Sequence, residues 1–455
     1  MRMKISEIVQ ACGGKLLCGD PETAVTSFCT DSREAKPGAM FVPMKGEKTD
    51  SHQYIDGVLA NGAAAVFTEQ ELPPKEQPVV LVPSAVRALQ KVAEVYRRGF
   101  TIPVIGVTGS VGKTTSKEMI ALTLSSKLKV MKTQGNRNSQ VGVPMTMFTL
   151  KKTDQAAVVE MGISMPGEME RIARVVRPTM AVISNIGVSH IEFLRTQENI
   201  LAEKFHITDY IQPDGKIFVN GDDPLLAPLR ESRQDKRIVT FGVNKSCDWH
   251  ASELNAAEKG TFFTCEFQGK KTNVFVPAPG LHNVRNALAS LAVAYELGVP
   301  AEDAVRAIAS YKPPKMRQEV LEIDGVRIID DSYNASPDSM KAALDILASM
   351  EITGRRVAVL GDMFELGDYA AISHFEVGKY AQEKGIDILA AIGEMAGETG
   401  KGFGRENFLH LNGNQQAAEY LRENLKPGDA VLIKGSRGMQ MDEIVRRIYE
   451  RKGNC

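Results

Sequence analysis

The alternation of short apolar runs with amphipathic segments is the feature that most restricts how this chain can fold. Between Pro103 and Pro314, candidate helices at 113–125 and 202–211 separate several apolar strands. Strands joined through helices form parallel sheets, because each crossover helix returns the chain to the same end and covers a face. The pattern predicts an α/β fold built on a parallel sheet, with candidate strands at 104–107, 156–160, 180–184, 216–219 and 237–241.

A chain of 455 residues is too long for one hydrophobic core. The first 82 residues contain short apolar runs separated by Gly, Pro and Asp, and helical spacing follows at 85–99. Pro313-Pro314 cannot continue a helix and predicts a hinge, after which strands and helices alternate again. We predict three domains: a small N-terminal α/β domain (1–84), a central parallel-sheet domain (85–313) with an antiparallel addition at 249–276, and a C-terminal Rossmann-like domain (314–455).

Composition argues against several classes of protein. The formal net charge is −1, which leaves no excess positive charge for binding nucleic acid. The apolar runs are the length of strands, far short of the roughly 20 residues that span a bilayer, and the N-terminus lacks the features of a signal peptide. The six cysteines show no C-x-x-C spacing and are interpreted as buried or incidental thiols. We expect a cytoplasmic monomer without a membrane segment.

Residues 104–115 predict a phosphate-binding loop. They read as a strand, a glycine-rich turn and the start of a helix, so that backbone N–H groups and the helix N-terminus can surround phosphate oxygens. Lys113 would reach the β- and γ-phosphates, and the Thr114 hydroxyl would bind Mg²⁺. Val107 stands where the usual P-loop pattern has glycine. The predicted nucleotide contacts are Gly109, Ser110, Val111, Gly112, Lys113, Thr114 and Thr115.

A P-loop alone does not separate a kinase, a GTPase, a motor and a ligase. Glu160 ends an apolar strand, at the sheet edge where ligands bind, and is suited to a Mg²⁺ shared with Thr114. His190 follows the next strand through a glycine loop and is directed to the same edge, although a loop histidine by itself is more often structural. Lys204 lies in an amphipathic segment, which by itself indicates a solvated side chain.

Together these residues resemble the Mur ligases, ATP-dependent amide-forming enzymes of peptidoglycan assembly. The matching strings are 108–114, Glu-Met-Gly at 160–162, 185–190, Ala-Glu-Lys at 202–204 and His-Asn-x-x-Asn at 282–286. The resemblance implies ATP and two Mg²⁺ ions, with Lys204 carbamoylated so that it binds metal together with His190. It also implies that Asn286 lies near the adenine and that Arg317 reaches the γ-phosphate. The implied catalytic residues are Lys113, His190, Lys204 and Arg317.

Three longer strings, at 330–337, 361–367 and 434–439, are similar to the branch of the family that adds D-alanyl-D-alanine to a UDP-N-acetylmuramoyl-tripeptide. They imply nucleotide contacts from Asp331 and Asn334. Ser51, Ser139 and Ser336 stand where the motifs of the family usually have a different residue. The implied substrate-binding residues are Ser32, Arg33, Lys45 and Gly46 for the UDP-sugar, together with Asn136, Asn138, Lys434, Ser436 and Arg437.

Two other functions stay open from the sequence. One is a related ligase, either an amino-acid-adding Mur enzyme or a protein like folylpolyglutamate synthase. The other is a P-loop regulatory ATPase that makes no bond. The third residue of the tripeptide is not indicated by any motif.

Overall fold

The N-terminal part of the chain folds around a five-stranded sheet. The computed structural model describes residues 1–46, 49–257 and 260–449, so Cys455 lies outside the described residues. The elements of this part are β1 (Met3–Lys4), α1 (Ile5–Cys12), β2 (Lys15–Cys18), β3 (Ala24–Val25), β4 (Ser27–Cys29), β5 (Ala39–Phe41), α2 (Ile55–Ala60), β6 (Ala65–Thr68) and β7 (Val79–Leu81). The sheet order is β2-β7-β6-β5-β4, parallel except for the pair β2–β7, while β1 pairs with β3.

The central part contains a nine-stranded sheet. Its strands are β8 (Val104–Thr108), β9 (Val130–Lys132), β10 (Ala156–Glu160), β11 (Met180–Ile183), β12 (Ile217–Asn220), β13 (Ile238–Gly242), β14 (Trp249–Ala257), β15 (Gly260–Phe267) and β16 (Lys270–Val276). Its helices are α3 (Ala85–Arg98), α4 (Lys113–Leu124), α5 (Gly142–Met147), α6 (Glu168–Val176), α7 (Ile191–Leu194), α8 (Gln197–Phe205), α9 (Leu229–Ser232), α10 (Leu281–Glu296) and α11 (Ala301–Ala309).

The strand order β9-β10-β8-β11-β12-β13-β14 is parallel, and β14, β15 and β16 continue it as an antiparallel extension. The predicted parallel α/β sheet is therefore confirmed. Every residue of β8 and of β10 is buried, as expected for strands covered on both faces. Because β8 lies between β10 and β11, the loops that leave these three strands meet at one edge.

The C-terminal part forms a second doubly wound sheet. Its elements are β17 (Glu319–Ile323), β18 (Val326–Asp330), α12 (Pro337–Ser349), β19 (Arg356–Gly361), α13 (Ala370–Glu383), β20 (Ile388–Ile392), α14 (Ala396–Phe403), β21 (Phe408–Leu411), α15 (Asn414–Asn424), β22 (Ala430–Lys434) and α16 (Asp442–Tyr449). The order is β17-β18-β22-β19-β20-β21, parallel apart from the hairpin β17–β18.

The predicted helix at 202–211 differs from the observed one. Helix α8 begins earlier because the Thr196 hydroxyl accepts a hydrogen bond from the Asn199 N–H at 3.2 Å, an N-cap that the apolar spacing does not reveal. A 3₁₀ turn follows at His206–Thr208. Strands β9, β17 and β21 were not predicted, because each is short or mixes polar with apolar residues. Within the described ranges, no helix has the length and apolar character needed to cross a bilayer.

Candidate active site

The phosphate loop connects β8 to α4 through two glycines with positive φ. Gly109 has φ 148° and Gly112 has φ 85°. A Cβ atom on Gly109 would lie 2.0 Å from the Ser184 hydroxyl oxygen, so a side chain cannot be accommodated there. Gly112 precedes the first turn of α4, where unpaired backbone N–H groups face the loop. The local geometry is that of an anion-binding turn.

The residues after β11 support this loop. The Asn185 side-chain oxygen accepts a hydrogen bond from the Val111 N–H at 2.8 Å, and its carbonyl accepts one from the Ser110 N–H at 3.0 Å. The Ser184 hydroxyl donates to the Val111 carbonyl at 2.5 Å. Neither Ser184 nor Asn185 was predicted individually as a site residue. Their position directly after the strand next to β8 was the available signal.

The Lys113 side chain folds back over the phosphate loop. Its Nζ donates to the Gly109 carbonyl at 2.7 Å and to the Ser110 carbonyl at 3.1 Å. Burial lowers the pKa of Lys113 to about 8, Glu160 opposes this shift, and Arg317 adds to it. A bound phosphate would favour the charged amine again, since opposite charges nearby raise the pKa of a lysine.

Glu160 is placed as a metal ligand would be. Its Oε1 accepts hydrogen bonds from the Asn138 amide at 2.7 Å and from the Thr114 hydroxyl at 3.1 Å. Its Oε2 is buried and has no hydrogen-bond partner among the described residues. Buried carboxylate oxygens normally accept a hydrogen bond, so this oxygen is a candidate to bind a ligand. No group of three or more His, Cys, Asp or Glu side chains arranged around a metal is found in the described part of the chain. One carboxylate completed by substrate phosphates is nevertheless a common form of Mg²⁺ site.

Lys204 is fully buried, at 0% exposure, so the interpretation of this residue as a solvated helix lysine is wrong. Its Nζ donates to the Gly109 carbonyl at 3.2 Å, directly behind the phosphate loop. The neighbouring carboxylate of Glu203 instead accepts from the backbone N–H groups of Gly167 and Met169. Burial lowers the pKa of Lys204 well below its usual value, and the nearby Lys113 lowers it further. The neutral amine is thereby favoured.

His190 adopts a left-handed backbone conformation, with φ 64°, just before α7. Its ring nitrogen Nδ1 lies against the Glu365 carboxylate of the C-terminal domain, in a close contact without hydrogen-bond geometry. This contact lowers the pKa of Glu365. Glu365 lies in the predicted string 361–367, but no role for it was predicted.

Residues of the C-terminal domain close the other side of the site. The Arg317 guanidinium stacks 4.0 Å from the centre of the Tyr333 ring. Buried Lys434 donates to the Asp331 carboxylate at 2.6 Å and to the Asn334 carbonyl at 2.9 Å. Asp331 and Lys434 thus pair with each other across the ends of β18 and β22.

Asn286 lies under the phosphate loop on α10. Its side-chain oxygen accepts a hydrogen bond from the Ser116 hydroxyl at 2.8 Å, and it would lie 3.3 Å from a Cβ on Gly112. His282 in the same helix contacts the Gln318 side-chain oxygen at 2.8 Å, next to Arg317. Gln318 was not predicted, and its position beside Arg317 was the only sequence signal.

A cavity of about 520 Å³ between the central and C-terminal domains joins these groups. The predicted residues that line it are Ser110, Val111, Gly112, Lys113, Thr114, Thr115, Asn136, Asn138, Glu160, His190, Asn286, Arg317, Asp331, Asn334 and Lys434. Gly109 and Lys204 lie directly behind it. The carboxyl ends of β8, β10 and β11 therefore bring together segments that are far apart in sequence.

Other predicted substrate-binding residues lie elsewhere. Ser436 is buried, and its hydroxyl accepts a hydrogen bond from the Phe364 N–H at 2.8 Å, while Arg437 is exposed outside the cavity. Ser32, Arg33, Lys45 and Gly46 belong to the N-terminal domain. Arg33 pairs there with Asp31 at 2.6 Å.

The comparisons with known proteins cover almost the whole chain. Family models match residues 24–106 (Mur ligase family, catalytic domain), 107–294 (Mur ligase middle domain) and 316–437 (Mur ligase, glutamate ligase domain). The chain belongs to the Mur ligase family. The UDP-N-acetylmuramoyl-tripeptide–D-alanyl-D-alanine ligase of Bacillus subtilis is 36% identical to this Mur ligase, over 94% of each chain. The Escherichia coli enzyme of the same name is 31% identical, over 99% of each.

Solved structures agree with this assignment to the Mur ligases. A crystal structure of MurF from Acinetobacter baumannii superposes with a TM-score of 0.92 at 30% identity, covering 99% of both chains. MurF ligase from Thermotoga maritima in complex with ADP gives a TM-score of 0.84 at 30% identity, over 93% of this chain and 97% of that one. A diaminopimelate-adding ligase gives only 0.56 at 18% identity, a likeness of fold alone.

Proposed function

We propose that this protein uses ATP to join D-alanyl-D-alanine to UDP-N-acetylmuramoyl-tripeptide, releasing ADP and phosphate. The relatives that carry this name are 30–36% identical to the chain over 94–99% of its length, whereas an amino-acid-adding ligase and a folylpolyglutamate synthase are 18% and 15% identical and share only the fold. The observation that carries the proposal is the interdomain cavity, in which Lys113, Glu160 and Arg317 converge on one space. This arrangement suits transfer of a phosphoryl group to a carboxylate.

The carboxylate of the tripeptide is a poor electrophile because it is anionic and has no good leaving group. In the first step its oxygen attacks the γ-phosphorus of ATP, the bond to the β-phosphate oxygen breaks, and ADP leaves. Lys113 and Arg317 stabilise the negative charge on the transferred group, since phosphoryl transfer depends mainly on positioning and electrostatics. The product is an acyl phosphate.

In the second step the free amine of D-alanyl-D-alanine attacks the acyl carbon. A tetrahedral intermediate forms, loses its extra proton and expels inorganic phosphate, leaving the new amide. Water must be excluded while the acyl phosphate exists, because it hydrolyses readily. The C-terminal domain, docked on the central domain, excludes water from the cavity and places Arg317 in the cavity wall.

The residues present fit Mg²⁺. Glu160, whose buried Oε2 has no hydrogen-bond partner within the described ranges, and the Thr114 hydroxyl are hard oxygen donors beside the phosphate loop. His190 and a modified Lys204 would serve a second ion. When bound, the ions would neutralise charge on the phosphates and polarise the γ-phosphoryl group.

Lys204 suits carbamoylation. The reaction adds CO₂ to a neutral amine and releases one proton, which converts a cation into an anionic oxygen donor. A buried lysine beside Lys113 is favoured in the neutral form that this reaction requires.

We assign the UDP-sugar end of the acceptor to the N-terminal domain. Lys45→Ala is expected to raise the KM for UDP-N-acetylmuramoyl-tripeptide by about tenfold, as for loss of one charged contact to phosphate. The KM for ATP should not change. Steady-state kinetics with each substrate varied in turn check this, with exposed Lys36→Ala as the matched control on the same domain. Equal KM values for Lys45→Ala and the unchanged protein would remove Lys45 from the site.

The deciding experiment measures phosphate release with purified substrates. A ligase should release phosphate only when tripeptide and D-alanyl-D-alanine are both present, with one amide formed per phosphate. A regulatory ATPase would hydrolyse ATP alone. An amino-acid-adding ligase would accept a UDP-sugar dipeptide and a single amino acid instead. Tripeptides ending in diaminopimelate and in lysine, tested side by side, identify the third residue.

The limits 1–84, 85–313 and 314–455 are proposed as the domain boundaries. Strand β7 ends at Leu81 and α3 begins at Ala85, while α11 ends at Ala309 and β17 begins at Glu319. Both boundaries therefore fall in connections rather than inside an element.

A further inference from the structure

The segment 185–192, which follows β11, is held on one side by the central domain. The Asp223 carboxylate accepts a hydrogen bond from the Ile186 N–H at 2.8 Å. The Gly187 N–H donates to the Ser110 hydroxyl at 2.8 Å, and the Asn185 side-chain oxygen accepts a hydrogen bond from the Val111 N–H. Hydrogen bonds thus join this segment directly to the phosphate loop.

The C-terminal domain holds the same segment from the other side. The Val188 N–H donates to the Asp338 carboxylate, which lies in the first turn of α12. The Glu365 carboxylate lies against His190, and its backbone carbonyl accepts from the Glu192 N–H at 3.3 Å. These contacts come from two separate places in the C-terminal domain, the first turn of α12 and the loop that contains Glu365.

The two domains approach each other closely at two glycines. A Cβ on Gly187 would lie 1.9 Å from the Asp338 Oδ2 atom, closer than any real contact. A Cβ on Gly367 would lie 3.2 Å from the Glu192 Cγ atom. Gly187 does not have a positive φ, so an alanine there would be excluded by the neighbouring domain and not by its own backbone.

We infer that Asp338 and Glu365 are positioning residues, which grip segment 185–192 when the C-terminal domain docks and thereby set the phosphate loop and His190 for the reaction. The inference rests on the proposed function for its catalytic consequence. Since the same segment contacts both the loop and the C-terminal domain, docking and nucleotide binding are coupled, and the coupling is reciprocal. If docking raises the affinity for nucleotide by some factor, bound nucleotide raises the docking equilibrium constant by the same factor.

The test is a steric block with a designed rescue. Gly187→Ala places a methyl group against Asp338 and is expected to lower kcat/KM for ATP roughly tenfold, within the usual range of coupling between sites. Small-angle X-ray scattering with ADP should show a larger radius of gyration than for the unchanged protein. Gly397→Ala is the matched control, since its Cβ would meet nothing within 4 Å in helix α14.

Asp338→Ala removes the atom that the methyl group meets. Asp338→Ala alone should be more open and slower than the unchanged protein, because its contact with Val188 is lost. The double variant Gly187→Ala/Asp338→Ala should match Asp338→Ala in radius of gyration and in activity, because the methyl group no longer meets Asp338. If the double variant is more open and slower than Asp338→Ala, the damage lies within the segment and the proposed grip is wrong. A Gly187→Ala protein as compact and active as the unchanged one overturns it too.

Glu365 is tested by a conservative pair. Glu365→Gln keeps an oxygen facing His190 and should retain most of the compaction caused by ADP, while Glu365→Ala should lose it. If ADP makes Glu365→Ala as compact as the unchanged protein, Glu365 does not help to hold the segment. Scattering needs neither tripeptide nor dipeptide, so it reports on docking even if the proposed substrates are wrong. Absence of amide synthesis in the unchanged protein, with the scattering differences intact, would instead reject the proposed function.

Discussion

Lys113→Ala is expected to lower kcat for amide formation by about 10²- to 10³-fold or more, the cost of removing one electrostatic group from a transition state. Among the described residues, the amine donates its hydrogen bonds to carbonyl groups of its own loop, at Gly109 and Ser110, so the fold should persist. Its positive charge is needed on the phosphates.

Two measurements accompany this variant. Thermal unfolding should give a midpoint close to that of the unchanged protein, and exposed Lys152→Ala should keep full activity as a control for loss of a lysine from the same domain. Ligase activity at the normal rate in Lys113→Ala would remove the phosphate loop from the mechanism.

Lys204→Ala is expected to reduce activity by more than about 100-fold. Even removal of a residue that only hydrogen-bonds to a metal ligand typically lowers metal affinity or activity about 10- to 100-fold. Lys204→Arg should fail as well, since a guanidinium cannot be carbamoylated. Acetate should restore part of the activity of Lys204→Ala by placing a carboxylate in the vacated space.

The matched control is Lys204→Met, which fills the buried space with an apolar chain of similar length. It should be inactive, and acetate should not rescue it, because no space is left. Near-normal ligation by Lys204→Arg would refute the carbamate. Rescue of Lys204→Ala and Lys204→Met to the same extent would show that acetate acts elsewhere. Mass spectrometry of the intact protein in bicarbonate gives a second readout, the added mass of one CO₂.

Much of the site was predictable because its residues follow strands. The glycine turn before Lys113, the carboxylate that ends β10 and the loop that leaves β11 are each local patterns, and parallel strands carry their ends to one edge. The environment of Lys204 was not predictable in this way. An amphipathic helix does not reveal what packs over a lysine. Here the Lys204 amine donates a hydrogen bond to the carbonyl of Gly109, which lies 95 residues earlier in the chain.

The sequence by itself determined the parallel α/β architecture and the phosphate loop, because periodicity, glycine positions and strand ends are properties of neighbouring residues. The family followed from the resemblance of several short strings to those of known Mur ligases. Only the tertiary structure decided that Lys204 is buried with a depressed pKa, that one oxygen of Glu160 has no hydrogen-bond partner in the described part of the chain, and that Asp338 meets Gly187. These features depend on which distant segments come into contact and how much water they exclude, and no local pattern encodes either.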